Sequence, residues 1–126
     1  MARLSLTTTT LSSPRPRRLA DFYQQLLGWQ RGSDEEGWVT IGSPDGGHRL
    51  GFHVDEAYRP PVWPSRDGEP VMQVHLEIAT DDLADAVARA TDYGATEAAV
   101  QPQDDVRVML DPDGHPFCLF LWPDMP

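Results

Sequence analysis

The chain has a single cysteine, Cys118. No disulfide can form within it, which fits a reducing, cytoplasmic home. No apolar run approaches the ~20 residues a membrane helix needs, so a membrane partner is not expected. The opening, MARLSLTTTTLSS, lacks the unbroken apolar core of a signal peptide. Its threonines are β-branched and read as strand, not as low complexity. Basic residues are few: ten Lys and Arg against 20 Asp and Glu, a net charge of −10. Such a surface repels a polyanion, which argues against nucleic acid as a partner. Arg15, Arg17 and Arg18 are the one local basic run, and they read as a solvated face. No GxGxxG, P-loop or HExxH pattern occurs. What remains is ordinary for a globular chain: 126 residues, 40% hydrophobic and 24% charged. That is one domain-sized unit, able to bury a single core or two small paired ones.

The most informative stretch is 71–95, VMQVHLEIATDDLADAVARATDYGA. Val74, Leu76 and Ile78 alternate with Gln73, His75 and Glu77, the period of a half-buried strand. The apolar set should carry a helix, and the other set is polar and ionisable. Thr80, Asp81 and Asp82 offer capping oxygens and the negative charge that suits a helix N-terminus. Leu83, Val87 and Ala90 then form one apolar stripe, and Gly94 ends the helix.

The same unit occurs earlier. Leu4–Leu11 is strand-like, Pro14 and Pro16 suit a first helical turn, and Leu19, Phe22, Tyr23, Leu26 and Leu27 make a stripe closed by Gly28. Trp38–Ile41 and Arg107–Leu110 are short strands, each followed by Pro-Asp-Gly, where Pro presets φ and Gly accepts a positive one. A further strand follows each turn, Leu50–Val54 and Phe117–Trp122. The offset is about 67 residues, the separation of Gly51 from Cys118. This is a duplication, since a solenoid has shorter and more numerous repeats. The expected organisation is module 1 over about 1–55, a stiff Pro-rich linker over 56–70, and module 2 over 71–126. Trp29–Gly37 reads as a hairpin or loop with Ser33–Glu36 at its tip. Tyr58 and Trp63 lie in the linker, where they can plug a core, cover a pocket or meet a second copy.

Three motifs, LADFYQQLLGW, HLEIATDDLADAVARATDYGA and DPDGHPFCLFL, resemble the vicinal oxygen chelate superfamily of glyoxalase I, extradiol dioxygenases and bleomycin-resistance proteins. YRPPVWP and DPDGHPFCL resemble its bacterial glyoxalase-like branch in particular. The resemblance covers essentially the whole chain. It implies an α+β fold of two tandem βαβββ modules forming an incomplete barrel, with a concave pocket and the helices on the convex side. It also implies pairing of modules within a chain or across a homodimer. The scaffold hosts several chemistries, so fold alone does not fix function.

Metal-using members of the superfamily hold a divalent ion through one residue from the first and last strand of each module. His or Gln serves on the first strands and Glu on the last ones. Carried onto this chain through its internal repeat, those positions are Thr8, Gly51, His75 and Cys118. Glycine offers no side-chain ligand and threonine a poor one, so no metal or other cofactor is expected. The alternative is a rearranged His53, His75 and Cys118 set suited to zinc, which accepts nitrogen and sulfur.

Two functions of different class follow. In the first, the protein binds a small organic molecule. Trp38, Tyr58, Trp63 and Phe120 act as stacking walls, Gln73, His53 and His75 supply polar contacts, and Cys118 lies among them. In the second, it is a lyase, isomerase or dioxygenase-type enzyme in which His75 or Glu77 moves a proton as the catalytic acid or base. A structural module with a vestigial pocket is a third reading.

Overall fold

The structure, a computed structural model, describes residues 1–126. The chain divides into two compact units, Met1–Tyr58 and Arg59–Pro126. The first contains β1 (Thr8–Ser13), α1 (Pro16–Leu27), β2 (Gln30–Glu35), β3 (Trp38–Gly42) and β4 (Arg49–Val54). The second contains β5 (Leu76–Thr80), α2 (Leu83–Asp92), β6 (Thr96–Glu97), β7 (Val106–Leu110) and β8 (Pro116–Leu121). The sheets run β1-β4-β3-β2 and β5-β8-β7-β6. In each, the first strand pairs parallel with the last and the remaining pairs are antiparallel. This is the βαβββ module twice over, as the repeat implies. No helix is long and apolar enough to cross a membrane.

Helix α1 begins with Pro16 at its first turn and ends at Gly28, whose φ of 71° is left-handed and whose N–H bonds Gln24 O at 2.9 Å. Its stripe is the core of the first unit. Leu19, Ala20, Phe22 and Tyr23 are buried, with Val39, Ile41, Leu50 and Phe52 of the sheet. The Tyr23 and Phe52 rings stack at 5.9 Å. In α2 Asp82 is the N-cap, accepting the Asp85 N–H at 3.0 Å. Asp82→Ala removes that acceptor and should lower the unfolding free energy by about 1 kcal/mol in a denaturant titration, whereas Asp82→Asn should keep most of it.

Three boundaries differ from the sequence reading. The first strand runs Thr8–Ser13, not Leu4–Leu11, and Leu4 and Leu6 stand exposed. Its ladder partner β4 starts at Arg49, opposite Thr8, so nothing continues the pairing upstream. Likewise β5 starts at Leu76, not Val71, because β8 begins only at Pro116 and Leu76 faces Phe117. Val74, read as core, is 68% exposed. Residues 29–37 hold a true strand, β2, with a bulge between Arg31 and Asp34. Thr40 Oγ1 accepts the Ser33 N–H there at 2.9 Å, which satisfies an otherwise buried hydroxyl. The strand reaches Glu35, so the tip is shorter than Ser33–Glu36. Strand β6 has only two residues, too few to show a period.

Candidate functional site

The candidate site lies on the sheet of the second unit. Leu76 and Ile78 face Phe117 and Leu119, and these two β8 residues are buried. Alternation turns Glu77 and Cys118 to the opposite face, where they stand directly across the β5–β8 ladder from one another. Val108 of β7 flanks Cys118 on its other side. The β7–β8 turn is held by Asp111, whose Oδ1 accepts the N–H groups of Asp113 and His115 at 2.9 and 3.0 Å. Gly114 takes the positive φ the turn needs, 88°. A β-carbon there would also lie 2.9 Å from Pro60, so the proline-rich stretch packs against this turn. That stretch is closed by the Val62 N–H to Pro70 O bond of 2.8 Å and contains a cis Trp63–Pro64 peptide.

A cavity of about 230 Å³ opens over this face. Trp63, Met72, Pro102, Val106, Val108 and Pro116 wall it, and His75, Glu77, Gln103 and Cys118 supply its polar groups. His75 stands just ahead of β5, and its Nε2 lies 3.2 Å from Glu77 Oε1. The donor atoms of His75, Glu77 and Cys118 all lie within 4.8 Å of one another. The walls contributed by 101–108 are fixed by Gln101. Its Oε1 accepts the Val108 N–H at 2.8 Å, while its Nε2 donates to Ala98 O and Val108 O, each at 2.9 Å.

Burial raises the Cys118 thiol above its ordinary pKa, and the Glu77 carboxylate raises it further. Both disfavour the thiolate, so Cys118 is a neutral thiol at pH 7. Alkylation by iodoacetamide should be slow at neutral pH and rise with a midpoint above 9, the ordinary value. Glu77→Gln removes the repelling charge and should move that midpoint down. A midpoint that does not move would remove Glu77 as a cause.

The first unit offers a different surface. The face of its sheet away from α1 carries Thr8, Thr10 and Ser12 of β1, Arg49, Gly51 and His53 of β4, and Trp38 and Thr40 of β3, set by the ladder registers. Arg49 Nη2 donates to Thr8 Oγ1 at 3.1 Å. Gly51 lies against the Trp38 indole, and a β-carbon on it would come 2.5 Å from Trp38 Cη2 and 2.9 Å from Thr10 Oγ1. The indole thus occupies the space that a Glu side chain would need. The superfamily's four-ligand site does not fit this chain.

Of the residues expected at a site, His75, Glu77, Cys118 and Trp63 are brought together around the cavity. Gln73 is exposed ahead of β5 and is not part of its lining. Phe120 is on the Cys118 face of β8 but stacks on Trp122 at 6.4 Å. Trp38 and His53 belong to the first unit, as does Tyr58, whose N–H bonds Asp55 O at 3.1 Å. Arg17 of the basic run pairs with Asp34 of β2 at 3.1 Å and, as the first cause, holds that carboxyl below its usual pKa. Met72, Gln101, Pro102, Gln103, Val106, Val108 and Pro116 were not singled out in sequence.

No curated protein sequence matches the chain significantly. Among solved structures, a glyoxalase/bleomycin resistance protein/dioxygenase family enzyme from Burkholderia phytofirmans superposes with a TM-score of 0.67 at 20% identity, over 90% of this chain and 94% of that one. A glyoxalase-related enzyme from Fulvimarina pelagi gives 0.67 at 16% identity, over 97% and 91%. An antibiotic binding protein from a Streptomyces species gives 0.59 at 19% identity, over 96% and 98%. At these identities the likeness is one of fold. The model of the glyoxalase-like domain family matches residues 8–120, nearly the entire chain. With two βαβββ modules and the family pattern running through both, the chain belongs to the glyoxalase-like domain family of the vicinal oxygen chelate superfamily.

Proposed function

We propose that the protein binds a small organic molecule in the cavity of its second module, without the superfamily's four-residue ion. The observation that carries this reading is the cavity itself, where mostly apolar walls converge on a hydrogen-bonded His75–Glu77 pair. That is the usual make-up of a ligand site: area from apolar side chains, orientation from a few polar ones. A volume of about 230 Å³ suits a compact ligand. The antibiotic-binding relative with the same fold supports binding as a use of the scaffold. A cytoplasmic homodimer is the proposed setting, which sedimentation equilibrium reads for oligomeric state.

A thermal-shift screen of small aromatic and heterocyclic compounds, followed by calorimetry on the hits, tests the reading. Trp63→Ala should weaken a hit by about fivefold to thirtyfold, the loss of roughly 1–2 kcal/mol of aromatic contact. Hits whose affinity ignores Trp63→Ala and Val108→Trp alike would place binding elsewhere and sink the proposal.

The His75–Glu77 hydrogen bond favours one further reading, a proton-moving enzyme at the same place. In that case Glu77→Gln should abolish turnover while leaving affinity nearly intact. Equal effects on both, or on neither, would remove Glu77 as the base.

A further inference from the structure

The negative charge of the chain is divided unevenly between its units. Residues 1–58 carry seven Asp and Glu against six Arg, whereas residues 59–126 carry 13 against four, and the chain has no lysine. Nearly the whole net charge of −10 therefore sits on the unit that holds the cavity. None of that unit's four arginines lines the cavity. Arg107 alternates with Val106 and Val108 along β7, so it points to the other face of the sheet, where it lies 3.6 Å from Glu97. Arg89 lies on α2, 4.0 Å from Asp85. The single carboxylate in the lining, Glu77, thus faces the cavity with no arginine beside it.

We propose that the cavity of the second module selects a compact organic cation, an ammonium group on an apolar body, with Glu77 opposite the charge and the Trp63 indole against it. This rests on the reading of the cavity as a ligand site and adds the sign of the ligand's charge. Glu77 is 59% exposed, and its one hydrogen-bond partner is His75, whose Nε2 meets Oε1 at 3.2 Å. The second carboxylate oxygen is left to solvent. A molecule that fills the cavity strips water from that oxygen, which is costly unless a charge or a donor takes the water's place. An ammonium group supplies the charge, whereas an anion would add repulsion. The charge of Glu77 already acts across the cavity, where, after burial, it raises the Cys118 thiol. An indole is the best aromatic face for a cation, and the Met72 thioether adds a polarisable wall.

The test titrates the full chain by calorimetry with two probes of matched shape, benzyltrimethylammonium and the uncharged dimethyl benzyl carbinol. It is run at about pH 8.5, where an ordinary imidazole is neutral, and at about 0.15 M salt, where fields beyond roughly 8 Å are screened. The cation should bind at least about fivefold more tightly than the carbinol, the joint effect of one partly exposed carboxylate and one indole face. Glu77→Gln should remove most of that preference by weakening the cation and sparing the carbinol. Glu97→Gln makes the same change of charge on the opposite face of the sheet and should leave the preference intact. Glu77 is a surface group, and the comparison of the two probes on the unaltered chain stands even if its variant misfolds, which far-ultraviolet dichroism reports. Equal affinity for the two probes, or a preference that survives Glu77→Gln, would overturn the assignment of charge. The carbinol separates that failure from failure of the small-molecule reading. If the carbinol binds and Val108→Trp blocks it, the cavity is a ligand site and only the cation preference falls. If neither probe binds, or Val108→Trp affects neither, both fall together.

Discussion

Phe52→Ala should lower the free energy of unfolding by about 3–5 kcal/mol, read as a fall in the urea midpoint at unchanged slope. Phe52 is fully buried on the α1 face of β4 and stacks on Tyr23 at 5.9 Å and 20°. Tyr23 in turn meets Phe22 edge-on at 4.8 Å. The three rings are the largest fully buried side chains of the first unit, and two of them are carried by the 12-residue α1. Removing the Phe52 ring loses its transfer free energy and leaves a cavity. Tyr23 cannot follow inward without dragging α1. Phe52→Leu retains most of the volume and should cost less than half as much. Equal losses for the two variants would mean that the site collapses freely, contrary to the packing described.

Gly51→Ala should cost about 1–3 kcal/mol, a large penalty for adding one methyl group to a strand. In most strands alanine in place of glycine is neutral or favourable, because glycine packs nothing and loses more entropy on folding. Here the new β-carbon would lie 2.5 Å from Trp38 Cη2 and 3.0 Å from Cζ3. Either the indole swings away or β3 and β4 part. Trp38→Leu removes both clashing indole atoms and leaves Thr10 Oγ1 at 2.9 Å, so the double variant should recover part of what Gly51→Ala loses. A double-mutant cycle isolates the coupling, which should exceed 0.5 kcal/mol in magnitude. Strict additivity would mean that the indole is not what confines Gly51. The experiment also bears on the site. A first module in which this position accepts no side chain cannot supply the superfamily's carboxylate ligand, whatever else the module binds.

Much of the fold was legible in the sequence because it is written locally. Pro16 and Gly28 bracket α1, Asp82 and Gly94 bracket α2, and Asp111–Gly114 makes its turn from its own backbone and side chain. The turn before β4 works similarly. Asp45 Oδ1 accepts from Ser43 Oγ at 2.7 Å and from the Gly47 N–H at 2.8 Å, bonds that hold the Asp45 carboxyl below its usual pKa. Such signals act within a few residues, so they survive without knowledge of the partner. Where a strand begins is different. Val71–His75 alternates as a strand should, but its ladder partner starts 41 residues past His75 in sequence, at Pro116, and pairing cannot begin before both strands are present.

The sequence by itself determined the duplicated βαβββ plan, the caps and turns of each copy, the family, and the presence of His75, Glu77 and Cys118 near the second sheet. The tertiary structure alone decided which of them meet. The ladder register sets Glu77 across from Cys118. It also brings the Trp38 indole down onto Gly51, so the first module cannot complete a quartet. Gln101, silent in sequence, pins the cavity wall through bonds to Ala98 and Val108. The physical reason is common to all three. A side chain's type and its face are local properties, whereas its neighbour across a sheet is fixed by pairing between segments far apart in the chain.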